Sequence, residues 1–327
     1  MLTPKKSIVL VSPALKKANN GNWQTAYRWS RFLAPYYKVS IVPDWRETGD
    51  RPDVMIALHA RRSAESIESF AKACPDKPLI VVLTGTDLYQ DIRHDASAKR
   101  SLELATHLVV LQDEGLHELT EAQQKKCRVI YQSARELTPV TTTQKNFDVI
   151  LVGHMREVKD PLTPMRALSL LPETSLVRLL HIGNAQEEKL RNAATQLEKN
   201  NLRYIWLREL THAQTRQRIK RAKLMVISSL MEGGANVIIE AITSGVPVIA
   251  SQVSGNVGML GRDYAGYFPV GESKALAALL DQAEREPKFL KQLKQQCERR
   301  MVLFTPEREN NAVNALIDDA LDTRRTK

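Results

Sequence analysis

Short β-branched runs alternate with longer helix-like stretches along almost the whole of this sequence. Strands separated by helices are too far apart in the chain to pair as hairpins. They run parallel through crossover connections, which specifies parallel sheets covered by helices on both faces. In the first half the strand-like runs are Ser7–Val11, Val39–Val42, Val54–Leu58, Leu79–Leu83, Leu108–Leu111 and Arg128–Tyr131. A second series opens with the run FDVILVG at 147–153 and continues with Leu176–Ile182, Leu202–Trp206, Leu224–Ile227, Pro247–Ala250 and Gly266–Phe268. Between the series lies Glu136–Asn146, a polar, threonine-rich stretch interrupted by Pro139, which reads as a linker.

With 327 residues the chain exceeds the size at which one core usually stops growing. The reading is therefore an α/β protein of two Rossmann-like doubly wound domains, 1–140 and 141–327. The last segments, from Glu272 to Asp322, read as helices, one of which is a candidate to cross back onto the first domain. Doubly wound sheets take their ligands at the carboxyl ends of the strands, so the loops there are where chemistry is expected.

A net charge of +10 calls for an account of anionic partners. Much of the excess lies on stretches such as Lys288–Arg300 and in the tail at Arg324, Arg325 and Lys327, and aromatic residues for base stacking are not interleaved with it. Solvated faces are favoured over a nucleic-acid groove, and small phosphates stay open as ligands. Cys74, Cys127 and Cys297 are odd in number and far apart, which suggests neither a disulfide framework nor a zinc site. The N-terminal apolar run is too short for a signal segment, and no stretch approaches the ~20 residues that span a bilayer. The expectation is a cytoplasmic protein without stable membrane anchoring.

The strongest chemical signal is Ser228-Ser229-Leu230-Met231-Glu232-Gly233-Gly234-Ala235-Asn236, between a buried strand and the helix expected at Val237–Ser244. Side-chain-free glycines let a diphosphate approach the backbone, and a helix start offers unpaired N–H groups. Glu240 lies one turn past Asn236, where a carboxylate can accept both hydroxyls of a ribose, while Glu232 reaches toward a sugar. The plainer alternative makes Glu232 a helix-terminal charge and Glu240 an exposed position.

The run EGGANVIIEAITSGVPVIAS resembles the Glu-x7-Glu segment of GT-B glycosyltransferases of the family-4 type, including the strand that follows it. The resemblance implies two Rossmann-like domains facing across a cleft, with the second binding a nucleotide sugar. It gives Glu240 to the ribose and Glu232, Gly233, Gly234, Ala235 and Asn236 to the diphosphate and sugar. A second match, FDVILVGHMREVKDP, places Gly153, Arg156 and Lys159 after the first strand of that domain. Cleavage of a glycosyl phosphate bond builds negative charge on the leaving group, which fixed cations stabilise without reorganising. Arg156 and Lys159 suit that task, the alternative being two solvated loop charges. Arg208, after another strand, either covers a uracil or is a rim charge.

The first domain would position the acceptor. Gly21 and Asn22 close the loop after the first strand, in Asn19-Asn20-Gly21-Asn22; His59, Arg61 and Arg62 follow the third in ALHARRSAES; Thr84, Gly85, Thr86 and Asp87 follow the fourth in VVLTGTDLY. Many retaining relatives carry a histidine where this sequence has Thr84, which points to an acceptor needing less base assistance. The combination ALHARRSA, LTGTDLYQDI, LVVLQ, IYQSAREL and EGGANV is similar to the selenosugar synthases of selenoneine biosynthesis, over nearly the whole chain. That resemblance implies selenophosphate as acceptor and UDP-N-acetylglucosamine or UDP-glucose as donor, giving a 1-selenosugar, UDP and phosphate. It also implies a functional link to an enzyme that makes selenophosphate. Guanidinium groups bind phosphate through paired charge-assisted hydrogen bonds, so Arg61 and Arg62 suit such an acceptor. His59 is either a base or a structural strand-end histidine, and Asp87 would orient the acceptor or a water. No Asp-x-Asp motif stands at a strand end, so neither a metal nor another cofactor is expected. The alternative is an ordinary glycosyltransferase of the same type acting on a hydroxyl.

Overall fold

The computed structural model describes residues 5–14, 21–49, 51–138, 140 and 145–322. Contacts divide the chain into two compact units, Met1–Ser133 together with Pro306–Lys327, and Ala134–Thr305. The part of the expected linker at 139 and 141–144 lies outside the described residues.

The first unit begins with β1 (Ser7–Val11), α1 (Gly21–Leu33), β2 (Lys38–Val42), β3 (Val54–Leu58) and α2 (Ala64–Ala73). It continues with β4 (Leu79–Leu83), α3 (Ile92–His94), α4 (Ala96–Leu104), β5 (His107–Val110), α5 (Glu121–Lys125) and β6 (Cys127–Val129). The six strands form one parallel sheet in the order β2-β1-β3-β4-β5-β6. Every residue of β3, β4 and β5 is buried, as continuous apolar runs must be when helices cover both faces.

Alternation along these strands sorts two cores. Val9, Met55, Val81 and Val110 point one way, against Ile67 and Phe70 of α2 and Leu102 of α4. Leu10, Ile56, Val82 and Val109 point the other way, against Ala26, Trp29 and Leu33 of α1.

The second unit holds β7 (Phe147–Val152), α6 (Leu162–Leu170), β8 (Val177–Ile182), α7 (Glu188–Asn200), β9 (Tyr204–Arg208) and α8 (His212–Arg221). After these come β10 (Leu224–Ile227), α9 (Asn236–Ile242), β11 (Val248–Ser251), α10 (Ser254–Leu260), β12 (Tyr267–Phe268), α11 (Ser273–Arg285) and α12 (Pro287–Arg300). Its sheet is also six-stranded and parallel, in the order β12-β11-β10-β7-β8-β9. The final helix, α13 (Pro306–Asp322), belongs to the first unit, where Val313, Leu316, Ile317 and Ala320 complete the face begun by α1.

Two parallel sheets flanked by helices are the architecture that the strand-and-helix alternation specifies. The differences from the sequence reading lie at element ends. Leu202, assigned above to a strand, is 93% exposed, and β9 starts two residues later. The helix expected at Val237–Ser244 begins at Asn236 and ends at Ile242. Thr243 and Ser244 turn their hydroxyls back onto the Ile239 and Glu240 carbonyls, 2.7 and 2.6 Å away, which competes with helix continuation.

Candidate functional site

In the second sheet the strand order reverses between β7 and β10, where the connections depart to different sides and the carboxyl ends leave a crevice. The chain leaving β7 passes Gly153, pairs Met155 with Ala185, and enters a tight turn at Glu157–Lys159 opened by Arg156. The chain leaving β10 lies against that turn. Leu230 N donates to Val158 O at 2.9 Å, and Ser228 Oγ donates to Asp160 O at 2.8 Å and Lys159 O at 3.1 Å. Two loops far apart in sequence are thus held as one surface.

Lys159 and Glu232 meet on that surface, with Nζ 2.5 Å from Oε1, and Ser229 Oγ donates to the same oxygen at 2.6 Å. Glu232 is 8% exposed, so it is not a freely solvated helix-terminal charge. Its support continues inward: Ser251 Oγ donates to Ser229 O at 2.6 Å, and Asn256 Nδ2 donates to Ser251 O at 2.9 Å. Gly255 at the start of α10 makes this possible, since a Cβ there would lie 1.8 Å from the Glu232 carbonyl oxygen.

Arg156 adds an unsatisfied donor. Its Nε is buried and has no hydrogen-bond partner among the described residues. Leaving such a donor unmade costs roughly 1 to 3 kcal/mol or more when charged, which an anion would offset. Gly233 is buried, Gly234 half-buried, Ala235 caps α9 in an extended conformation, and Asn236 is its first residue.

Glu240, inside α9, is also 8% exposed, and His212 Nε2 lies 2.7 Å from its Oε1. One turn along α8, Arg216 is buried against the same helix, donating to Arg135 O at 2.8 Å, Ser244 Oγ at 3.3 Å and Thr243 Oγ1 at 3.4 Å. Burial lowers its pKa while the Glu240 charge opposes that shift.

Arg208 is engaged elsewhere. Its guanidinium lies 3.7 Å from the Trp206 ring centroid and 2.9 Å from Glu198, an arrangement held by a left-handed backbone at φ 61°. Trp206 Nε1 donates in turn to Gly183 O at 2.8 Å. Gly183, at φ 141°, presses directly on Gly153: a Cβ would meet the Gly153 oxygen at 2.0 Å.

Beneath this junction His181 is 1% exposed, with Nδ1 2.9 Å from the Tyr204 hydroxyl and its ring bonded to the Gly153 backbone. Burial pulls its pKa down to about 4, so the folded protein keeps it neutral where an unfolded histidine, near 6.5, becomes charged. The unfolded chain therefore binds more protons between those values, and stability falls as pH drops through that window, levelling off below it. The loss reaches about 3 kcal/mol. Urea unfolding between pH 7 and 4 is expected to show this decline in the natural protein and a smaller one in His181→Gln.

In the first unit the sheet reverses between β1 and β3. Gly21 and Asn22 open α1, and Asn19 and Asn20 lie outside the described residues. His59 ends β3 in a left-handed conformation, φ 74°, and is 3% exposed. Its Nδ1 accepts from Arg62 N at 3.3 Å and its Nε2 faces Thr86 Oγ1 at 3.1 Å, while burial lowers its pKa. Both ring nitrogens are occupied within the unit, which is the arrangement of a structural histidine.

Asp87 is fully buried. It accepts from Ala60 N at 3.0 Å, Thr84 N at 2.9 Å and Gly85 N at 2.8 Å, tying the loops after β3 and β4 together. A carboxylate so enclosed is not placed to orient an acceptor or water; its work is to shape the loop carrying Thr84, Gly85 and Thr86. Arg61 pairs with Asp91 at 2.9 Å, and Arg62 is exposed.

The structure thus joins Lys159 to Glu232 and His59 to Thr86 and Asp87. Sequence reasoning did not find His212, Ser251, Asn256 or His181, and it placed Ser229 in the glycine-turn run without giving it a role. Gly255, in the first turn of α10, was not singled out either, although a glycine just past a strand end is a readable sign of close backbone approach.

Among the described residues no group of three or more histidine, cysteine or carboxylate side chains could hold a metal, and no helix is long and apolar enough to cross a membrane.

The family model for glycosyl transferases group 1 matches residues 133–300. No curated protein sequence matches the chain. Among solved structures, the chain is similar to sucrose-phosphate synthase from Thermosynechococcus elongatus, with TM-score 0.78, 16% identity, and 98% of this chain and 100% of that one covered. HepE from Anabaena, solved with UDP and glucose, gives TM-score 0.76 at 15% identity over 96% and 99%. The pneumococcal O-GlcNAc transferase GtfA, with UDP and GlcNAc, gives 0.65 at 18% identity over 82% and 57%. These likenesses establish the GT-B architecture.

Proposed function

The chain belongs to the glycosyl transferases group 1 family, and from that premise we propose that it transfers the sugar of UDP-N-acetylglucosamine or UDP-glucose to selenophosphate. The observation that carries the donor half is the pairing of Lys159 with Glu232 beside the unsatisfied Arg156 Nε at the reversal point of the second sheet. The UDP and sugar complexes of HepE and GtfA, which share the architecture, support a UDP-sugar there.

In this reading the diphosphate lies against Arg156, Lys159 and the Gly233-Gly234 turn, and Glu240 receives the ribose hydroxyls. Lys159 exchanges Glu232 for phosphate oxygens, freeing that carboxylate for the sugar. As the anomeric C–O bond breaks, its electron pair passes to UDP, and the two cations meet the growing charge without prior reorganisation. They take the part a metal would play, and no cofactor enters.

The acceptor half rests on the resemblance of the sequence to selenosugar synthases and on the exposed Arg62 beside Arg61. The selenium atom forms the new bond to the anomeric carbon, and water then cleaves the P–Se bond, giving the 1-selenosugar and phosphate. A selenium nucleophile already anionic at neutral pH needs no base, which agrees with His59 having its nitrogens occupied.

The test is to incubate the purified protein with either UDP-sugar, with and without selenophosphate, and follow products by mass spectrometry. The expected result is UDP release and a sugar product bearing the selenium isotope pattern only when selenophosphate is present. Equal UDP release without it, accompanied by glycosylation of a hydroxyl compound, would replace this acceptor with the alternative one.

A further inference from the structure

We infer that His212 is a positioning residue for the nucleotide, holding the Glu240 carboxylate in the one orientation that can receive a ribose diol. The inference rests on the donor reading above and adds to it a residue for which the sequence gave no sign.

His212 is the first residue of α8 and Glu240 lies within α9, 28 positions along the chain. The turn into α8 is fixed by a capping box, in which Thr211 and Gln214 satisfy each other's backbone N–H groups. That fixes the direction in which the histidine side chain leaves the helix. Glu240 is fixed from behind, since Ser244 Oγ donates to its carbonyl at 2.6 Å and the side chain is only 10% exposed.

The imidazole bonds to Oε1 at 2.7 Å, and no hydrogen bond to Oε2 is recorded among the described residues. A carboxylate offers about four lone-pair positions, so one imidazole N–H leaves acceptors for two hydroxyls. It also removes rotation that ribose binding would otherwise have to freeze.

Arg216 faces the same carboxylate from the next turn of α8, but the hydrogen bonds its guanidinium makes, all from Nη2, go to Arg135, Thr243 and Ser244, while its buried Nε has no partner among the described residues. It supplies a positive field; His212 supplies the hydrogen bond. The imidazole is 48% exposed, so removing it opens no core cavity and the fold should survive the change.

The experiment measures binding of UDP and of 2′-deoxy-UDP by calorimetry to the full chain and to its His212→Ala, His212→Gln and Glu240→Gln variants. The expected result is that His212→Ala weakens UDP about tenfold and 2′-deoxy-UDP less than threefold, while His212→Gln, which keeps a side-chain N–H, recovers part of the loss. Equal weakening of both nucleotides, or unchanged UDP binding in His212→Ala with a clear loss in Glu240→Gln, would overturn the role of His212 and leave the donor reading intact. Unchanged UDP binding in Glu240→Gln would overturn both.

Discussion

Arg156→Ala is expected to lower kcat about 100- to 1,000-fold in an assay of UDP release at saturating UDP-sugar, with KM changed far less. The magnitude is that of losing one preorganised charge stabiliser. Arg156 has a buried Nε without a partner, so its cost is already met in the folded protein, and on the proposed reading its benefit arises when charge develops on the departing diphosphate. A contact already present with the bound diphosphate that strengthens as charge develops lowers kcat more than it raises KM, which separates this role from uniform donor binding. Activity within threefold of the natural protein would remove Arg156 from the mechanism. Lys159→Ala should act on both parameters, because it also leaves Glu232 with Ser229 alone on its shared oxygen.

Glu309→Ala should destabilise the first unit by about 3 to 5 kcal/mol, read as a fall in the thermal unfolding midpoint followed by calorimetry. Glu309 sits on α13 with no exposed surface, yet its carboxylate is fully used. Arg28 Nε is 2.6 Å from Oε2, Ser133 Oγ donates to the same oxygen at 2.6 Å, and Trp29 Nε1 donates to Oε1 at 2.8 Å. Truncation strands a cation that is 19% exposed together with a buried indole N–H, and loosens the helix that completes one face of the sheet. Glu309→Gln, which keeps an acceptor for the indole, should lose less. A midpoint unmoved by Glu309→Ala would show that α13 is held by its apolar face alone.

These two residues mark the limits of what the sequence reveals. The place of Arg156 just past the end of β7 was legible because it follows a strand-and-glycine pattern at fixed spacing, and local spacing survives folding. Glu309 was not, since nothing near it in the chain mentions Arg28, Trp29 or Ser133. Asp87 was misjudged for the same reason. A carboxylate in a strand-end loop reads as chemistry, whereas three backbone N–H groups from two loops make it a structural tie.

The alternation of apolar runs by itself determined twelve strands, their parallel sense and the loops that carry the glycines and cations, because period and length are properties of neighbours in the chain. Tertiary structure alone decided the partners of the charges: Lys159 with Glu232, His212 with Glu240, His59 with Thr86, and Glu309 with α1. Each pairing joins side chains from separate loops or helices, and a hydrogen bond depends on tenths of an ångström that only packing sets.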